Sequence, residues 1–219
     1  MGYYRAGFTE IVGIDIKSQP RYPFTFIQAD ALRPPVDLSR FDAIHASPPC
    51  QFGSEATPME WRSKHPNLIP ATREILKESG KPYVIENVEN VRVHLDQALM
   101  LCGTMVGLPI WRHRYFEASP FIAALTPPCA HDRSPITIHS GSYSRKLQRP
   151  VLCTGGGDGK RSNRKTHRPR EAVANIRIAM EIPWMTQAEL SQAIPPAYTE
   201  WIGKRLLEAI KPSDRRRSY

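Results

Sequence analysis

The sequence predicts an α/β protein built on a parallel sheet with covering helices. Short β-rich apolar runs alternate with helix-like segments, and these runs tend to stop at acidic or nucleophilic residues. The chain has 219 residues, 41% of them hydrophobic and 23% charged, which allows one sizeable core and excludes global disorder or a fibrous repeat. The β-like runs are Glu10–Asp15, Phe24–Gln28, Phe41–Ala46, Tyr83–Val88, Leu99–Cys102 and Tyr115–Glu117. Between the third and fourth, Asn67–Ser79 places Leu68, Ile75 and Leu76 at helical spacing and closes at Gly80, as a crossover helix does.

From Pro120 to Arg170 the chain is rich in Pro, Gly, Ser and Arg, and only the stretches Ile-Thr-Ile-His and Pro-Val-Leu-Cys-Thr resemble strands. This segment reads as a loop-rich insert. The run Thr-Gly-Gly-Gly-Asp-Gly-Lys from Thr154 lacks the strand-to-helix setting of a phosphate loop. Helices are predicted over Glu171–Met180 and Thr186–Gln192, the second with Thr186 and Glu189 spaced as a capping box. Pro195-Pro196 opens a last helix to about Ile210, with Trp201, Leu206, Leu207 and Ile210 on one face. The organisation expected is a core over residues 1–118, a basic insert over 119–170, and C-terminal helices over 171–219 that return to the core.

No apolar run is long enough to span a membrane, and the first ten residues lack the pattern of a secretory signal, so a cytoplasmic location is expected. The formal net charge is +9, and the excess is concentrated. Between Ser119 and Arg170 ten basic residues, among them Arg145, Lys146, Arg161, Arg164 and Lys165, face only Asp132 and Asp158. A basic stripe of this density suits a polyanion, through phosphate neutralisation and counterion release; the alternative is a solvated loop. The four cysteines, Cys50, Cys102, Cys129 and Cys153, are too scattered for a disulfide framework. Cys129 and His131 can be grouped with His139 and Cys153 on paper, but the spacing matches no zinc pattern, and no metal is expected.

In open α/β sheets, ligands bind beyond the carboxyl ends of the strands. There the runs end on Asp15, on Asp30, in Ser47-Pro48-Pro49-Cys50-Gln51, and on Glu86-Asn87. An acid placed like Asp15 can accept hydrogen bonds from a ribose diol, and Asp30 can accept from an adenine amino group; the alternative for each is to cap its own loop. Two prolines make a stiff turn that presents Cys50, whose thiolate can serve as a nucleophile, although a buried inert cysteine is the more frequent case. Alkylation at carbon 5 of a pyrimidine requires that carbon to be made electron-rich. Thiolate addition at carbon 6 does this, helped by a carboxyl group that gives a proton to ring nitrogen 3, a role open to Glu86. Arg112 and Arg114 lie two positions apart and would share a face on a strand, as catalytic groups or as a surface pair.

These residues together resemble the DNA (cytosine-5) methyltransferases. Pro48-Pro49-Cys50-Gln51 resembles the family's nucleophile motif, Glu86-Asn87-Val88 its Glu-Asn-Val motif, and Arg112-His113-Arg114 its Arg-x-Arg motif. Tyr4-Arg5-Ala6-Gly7-Phe8 through Val12-Gly13-Ile14-Asp15 is similar to the helix and strand after the cofactor glycine loop, Gln28-Ala29-Asp30 to the third cofactor motif, and Ile194–Gly203 to the closing helix. The order and spacing agree from Gly2 to about Glu117.

The resemblance implies a Rossmann-like methyltransferase sheet and transfer of a methyl group from S-adenosyl-L-methionine to carbon 5 of a flipped cytosine in double-stranded DNA; the sequence leaves the oligomeric state open, with a monomer favoured. It implies Cys50 as nucleophile, Glu86 as the nitrogen 3 partner, and Arg112 and Arg114 as groups that position Glu86 and the base. Asp15 and Ile16 would hold the ribose and adenine, Asp30 and Ala31 the adenine edge, and Pro48 and Pro49 the cofactor side, with Gln51 and Asn87 on the nucleic-acid side. Two departures stand out. The family opens with a central strand and a Phe-x-Gly-x-Gly loop that this chain lacks, so the expectation is a start upstream of Met1 or, alternatively, a degraded or differently completed version. The region left for target recognition is short, about 55 to 70 residues, which implies short or relaxed sequence specificity. RNA as substrate, and a nucleic-acid-binding remnant without cofactor, are the competing expectations.

Overall fold

A computed structural model describes residues 1–53, 57, 59–122, 126–131, 136–137, 151–152 and 170–210, with the side chains of 136–137, 151–152 and 170–172 left aside. Within these residues the order is α1 (Gly2–Ala6), β1 (Val12–Asp15), β2 (Thr25–Gln28), β3 (Ile44–Ala46), α2 (Met59–Arg62), α3 (Ile69–Glu78), β4 (Tyr83–Asn87), β5 (Leu99–Leu101), β6 (Ile110–Trp111), β7 (Arg114–Ser119), β8 (Ile136–Thr137), β9 (Val151–Leu152), α4 (Arg170–Met180), α5 (Gln187–Gln192) and α6 (Pro196–Ile210).

The fold is mixed α/β, and each predicted run and helix recurs within a few residues of its expected bounds. The entirely parallel sheet does not. The main sheet has the order β3-β4-β7-β5, and β7 runs antiparallel to both of its neighbours, with Glu86 opposite Phe116. The physical reason is the connection. Between β5 and β7 lie a 3-10 turn (Gly103–Val106) and β6 but no helix, and a parallel pairing needs a long crossover. β3 and β4 are parallel, with Ala46 opposite Ile85. β1 and β2 pair in parallel as a separate two-stranded sheet, and among the described residues no strand joins β1 to β3. The two strand-like stretches of the insert form β8 and β9, which pair with β6 in the order β6-β9-β8.

β4 is buried at all five positions, and its side chains alternate between two cores. Val84 packs with Phe116 of β7 and with Ile176, Met180, Leu190, Tyr198, Ile202 and Leu206 from α4, α5 and α6. Tyr83 and Ile85 face the other way, onto Ile69 and Leu76 of α3, with Tyr115, Val91 and Leu95. On that second face Arg73 of α3 meets the buried Glu117 of β7 in a bidentate pair, Nε to Oε1 at 2.8 Å and Nη2 to Oε2 at 2.6 Å. Asp96 N also donates to Glu117 Oε2, at 2.9 Å. The capping box at α5 forms as the spacing predicts, with Thr186 N donating to Glu189 Oε2 at 2.7 Å and Glu189 N to Thr186 Oγ1 at 3.4 Å.

α1 lies against α6 at glycine distance. A Cβ on Gly203 would sit 2.8 Å from Ala6 Cβ and 2.9 Å from Tyr3 Cδ1, and one on Gly2 would overlap the Pro196 carbonyl oxygen. Gly203→Val is therefore expected to destabilise the protein by about 1–3 kcal/mol through overpacking. Denaturant midpoints measure this, and an unchanged midpoint would refute the close helix contact.

Candidate active site

The register that pairs Ala46 with Ile85 sets Ser47, just past β3, beside Glu86 near the carboxyl end of β4. Beyond them, Asn87 ties the proline turn to β4. Its Nδ2 donates to the Pro48 carbonyl at 2.9 Å, and its Oδ1 accepts from Val88 N at 2.9 Å. Because prolines bring no N–H of their own, this clamp from a side chain only 2% exposed fixes the turn that carries Cys50. Cys50 is half-buried, its carbonyl accepting from Gly53 N at 3.1 Å. Pro49 and Gln51 are exposed on either side of it.

Glu86 is 7% exposed. Arg114 Nε stands 2.9 Å from Glu86 Oε1. Burial pushes this carboxyl group up from its ordinary range, against the downward pull of Arg114, a hydrogen bond from Ser47, and Arg112; the upward push prevails. Glu86 is thus a carboxyl group inclined to keep its proton. Arg112 is committed differently from Arg114. Its Nη2 donates to the carbonyls of Ser191 (2.8 Å) and Ala193 (2.9 Å), and its own carbonyl accepts from Tyr198 OH at 2.5 Å. The residues joining α5 to α6 are thereby locked onto the Arg-His-Arg segment.

Behind Glu86 runs a chain of hydrogen bonds that sequence reasoning missed. Tyr3 OH meets His45 Nδ1 at 2.6 Å, His45 Nε2 meets Ser47 Oγ at 3.1 Å, and Ser47 bonds Glu86. A neutral imidazole protonated on Nε2 satisfies every link, with Tyr3 donating at one end and Ser47 donating to a carboxyl oxygen of Glu86 at the other. Burial holds His45 down at about 4. The only sequence signal was a lone histidine inside an apolar β-run.

A histidine kept neutral in the folded state contributes stability that is complete above its unfolded value near 6.5 and is lost as pH falls toward about 4. Over that window His45 is expected to cost up to about 3 kcal/mol of stability. Denaturant titrations of wild type and His45→Asn across the window test this; parallel curves would refute it.

The candidate cofactor residues sit at the ends of β1 and β2. Asp15 Oδ1 accepts from Lys17 N at 2.8 Å and Oδ2 from Gln19 Nε2 at 3.3 Å, and Asp30 Oδ1 accepts from Leu32 N at 2.9 Å. Both acids do cap their own loops. Ile16, beside Asp15, is 64% exposed, and Ala31 is exposed. Arg145, Lys146, Arg161, Arg164 and Lys165 lie outside the described residues, as do His139 and Cys153 of the paper metal grouping. The other half of that grouping, Cys129 and His131, does gather, but with Cys102 and His113.

No family model matches this chain, and no curated protein does.

Proposed function

We propose that this protein is a cytosine-5 methyltransferase acting on DNA. The observation that carries the reading is the clamp from Asn87 to Pro48, which ties the Cys50 turn to the strand end bearing the buried Glu86, with Arg114 at 2.9 Å. In this reading the Cys50 thiolate bonds to carbon 6 of an everted cytosine while Glu86 gives its proton to nitrogen 3, which leaves carbon 5 nucleophilic. Once carbon 5 is methylated its proton passes to water, the bond from sulfur to carbon 6 breaks and regenerates the thiolate, and nitrogen 3 returns its proton to the Glu86 carboxylate. Arg114 fixes the Glu86 carboxyl group, and Arg112 holds the Arg-His-Arg segment to the α5–α6 junction.

S-adenosyl-L-methionine would supply the electrophilic methyl group when bound. The residues present fit its adenosine half: carboxylates with further lone pairs at Asp15 and Asp30, and the exposed apolar side chain of Ile16 beside the first of them. The hydrogen bonds that Asp15 and Asp30 already accept from their own loops favour a second reading. In that reading the scaffold binds nucleic acid without the cofactor.

Labelled-methyl transfer to duplex DNA, single strands and tRNA, together with calorimetry of S-adenosyl-L-methionine, separates the readings. Transfer to duplex DNA with micromolar cofactor binding supports the proposal, and preferred transfer to tRNA replaces the polymer. Salt-sensitive DNA binding with no heat from the cofactor supports the second reading and overturns the first.

A further inference from the structure

Around His113 of the Arg-His-Arg segment, four side chains with metal-binding atoms converge. Cys102 follows β5, His113 lies between β6 and β7, and Cys129 and His131 lie in the stretch that follows β7. Their ligand atoms all lie within 4.8 Å of one another. Cys129 Sγ is 2.8 Å from His131 Nε2 and 3.4 Å from His113 Nε2, and Cys102 Sγ is 3.4 Å from His131 Nε2.

We propose that Cys102, His113, Cys129 and His131 form a closed tetrahedral zinc site. Bond lengths to zinc of about 2.3 Å for sulfur and about 2.0–2.1 Å for nitrogen place the corners of such a site about 3.3–3.8 Å apart, within the span of 2.8 to 4.8 Å that these atoms occupy. Two thiolates with two imidazoles are the donor set that selects zinc over hard cations. Four protein ligands leave no open position, so the site is structural. Binding releases one proton from each thiol as the two bonds from sulfur to zinc form.

The surroundings are those of a metal centre. Glu89 Oε2 lies 3.8 Å from His113 Nδ1, the ring nitrogen left over, within ion-pair distance and placed to close on a metal-bound histidine as an outer carboxylate. The Trp111 ring stacks on His131 at 4.0 Å between centroids, and the Thr104 hydroxyl points to the sulfurs of Cys102 (3.5 Å) and Cys129 (3.9 Å). The spacing in the chain, ten residues from Cys102 to His113, fifteen more to Cys129 and one to His131, belongs to no compact zinc motif, because a turn of sheet separates the ligands. The zinc would pin the start of the basic insert to the sheet. It would also anchor His113 between Arg112 and Arg114.

The test is metal analysis of the full chain purified without chelator, followed by cobalt(II) substitution. About one zinc per chain is expected, with the visible bands of tetrahedral cobalt and a charge-transfer band from two thiolates. Cys129→Ser and His131→Gln should each strip the metal. His131 is exposed, so its variant keeps the comparison valid if a cysteine variant misfolds. Glu89→Gln should keep the metal with about 10- to 100-fold weaker affinity. A folded chain with no zinc and no tetrahedral cobalt spectrum would overturn the site. So would a Cys102–Cys129 disulfide, or zinc retained by both ligand variants.

Discussion

Under the proposed function, Cys50→Ala is expected to lower methyl transfer by at least about a thousandfold, with DNA binding retained, because the bond from sulfur to carbon 6 in that reading has no substitute in the alanine side chain. Cys50 is only half-buried, and its turn is held by backbone contacts and by Asn87, so the fold does not depend on the sulfur. Glu86→Gln removes a proton donor but leaves the nucleophile, and a smaller loss of about 10²–10⁴ is expected. The double variant should be no worse than Cys50→Ala alone, since both groups serve the same adduct. Measured rates with labelled cofactor decide this, and a Cys50→Ala protein that transfers methyl at the wild-type rate refutes the nucleophile.

The largest expected effect on stability comes from Arg73→Ala, at about 3–5 kcal/mol, because it strands the Glu117 carboxylate inside the second core. Burial alone would raise the Glu117 carboxyl group, but the Arg73 fork and the Asp96 amide outweigh it and hold it below its ordinary value. A carboxyl group depressed in this way contributes stability that is complete above its unfolded value and is lost as pH falls through the folded one. Without Arg73, Glu117 keeps its proton to higher pH, so the deficit of the variant should narrow on acidification. Urea midpoints at about pH 7 and about pH 4 measure both effects. An equal deficit at the two values would mean that the charge of Glu117 is not the cause.

Strand and helix positions were legible because they follow from local pattern. Val12–Asp15, Tyr83–Asn87 and the Thr186 cap were marked by apolar runs, strand-ending acids and capping spacing, and each forms. The reversal of β7 was not legible, since strand direction depends on what lies between strands, not on the strand itself. Glu86 and Asn87 stood out because an acid directly after one β-run falls on the same sheet edge as a cysteine after two prolines. His45 and Tyr3 did not. Their importance comes from a helix at one end of the chain meeting a strand forty residues on. The same holds for Cys102 and His113, which no short motif links to Cys129 and His131; only the return of β7 beside β5 brings them together.

The interruption between β1 and β3 also bears on how the protein behaves in concentrated solution. Among the described residues each strand has a hydrogen-bonded neighbour on one side only, which leaves a rim of amides and carbonyls without a strand partner. Such rims template the annealing of stray extended peptides, including those of other molecules. Here β1 is four residues long and β3 three, so each offers little purchase, and Gly13 in β1 weakens it further. Edges as brief as these two hold an incoming strand by only a few hydrogen bonds.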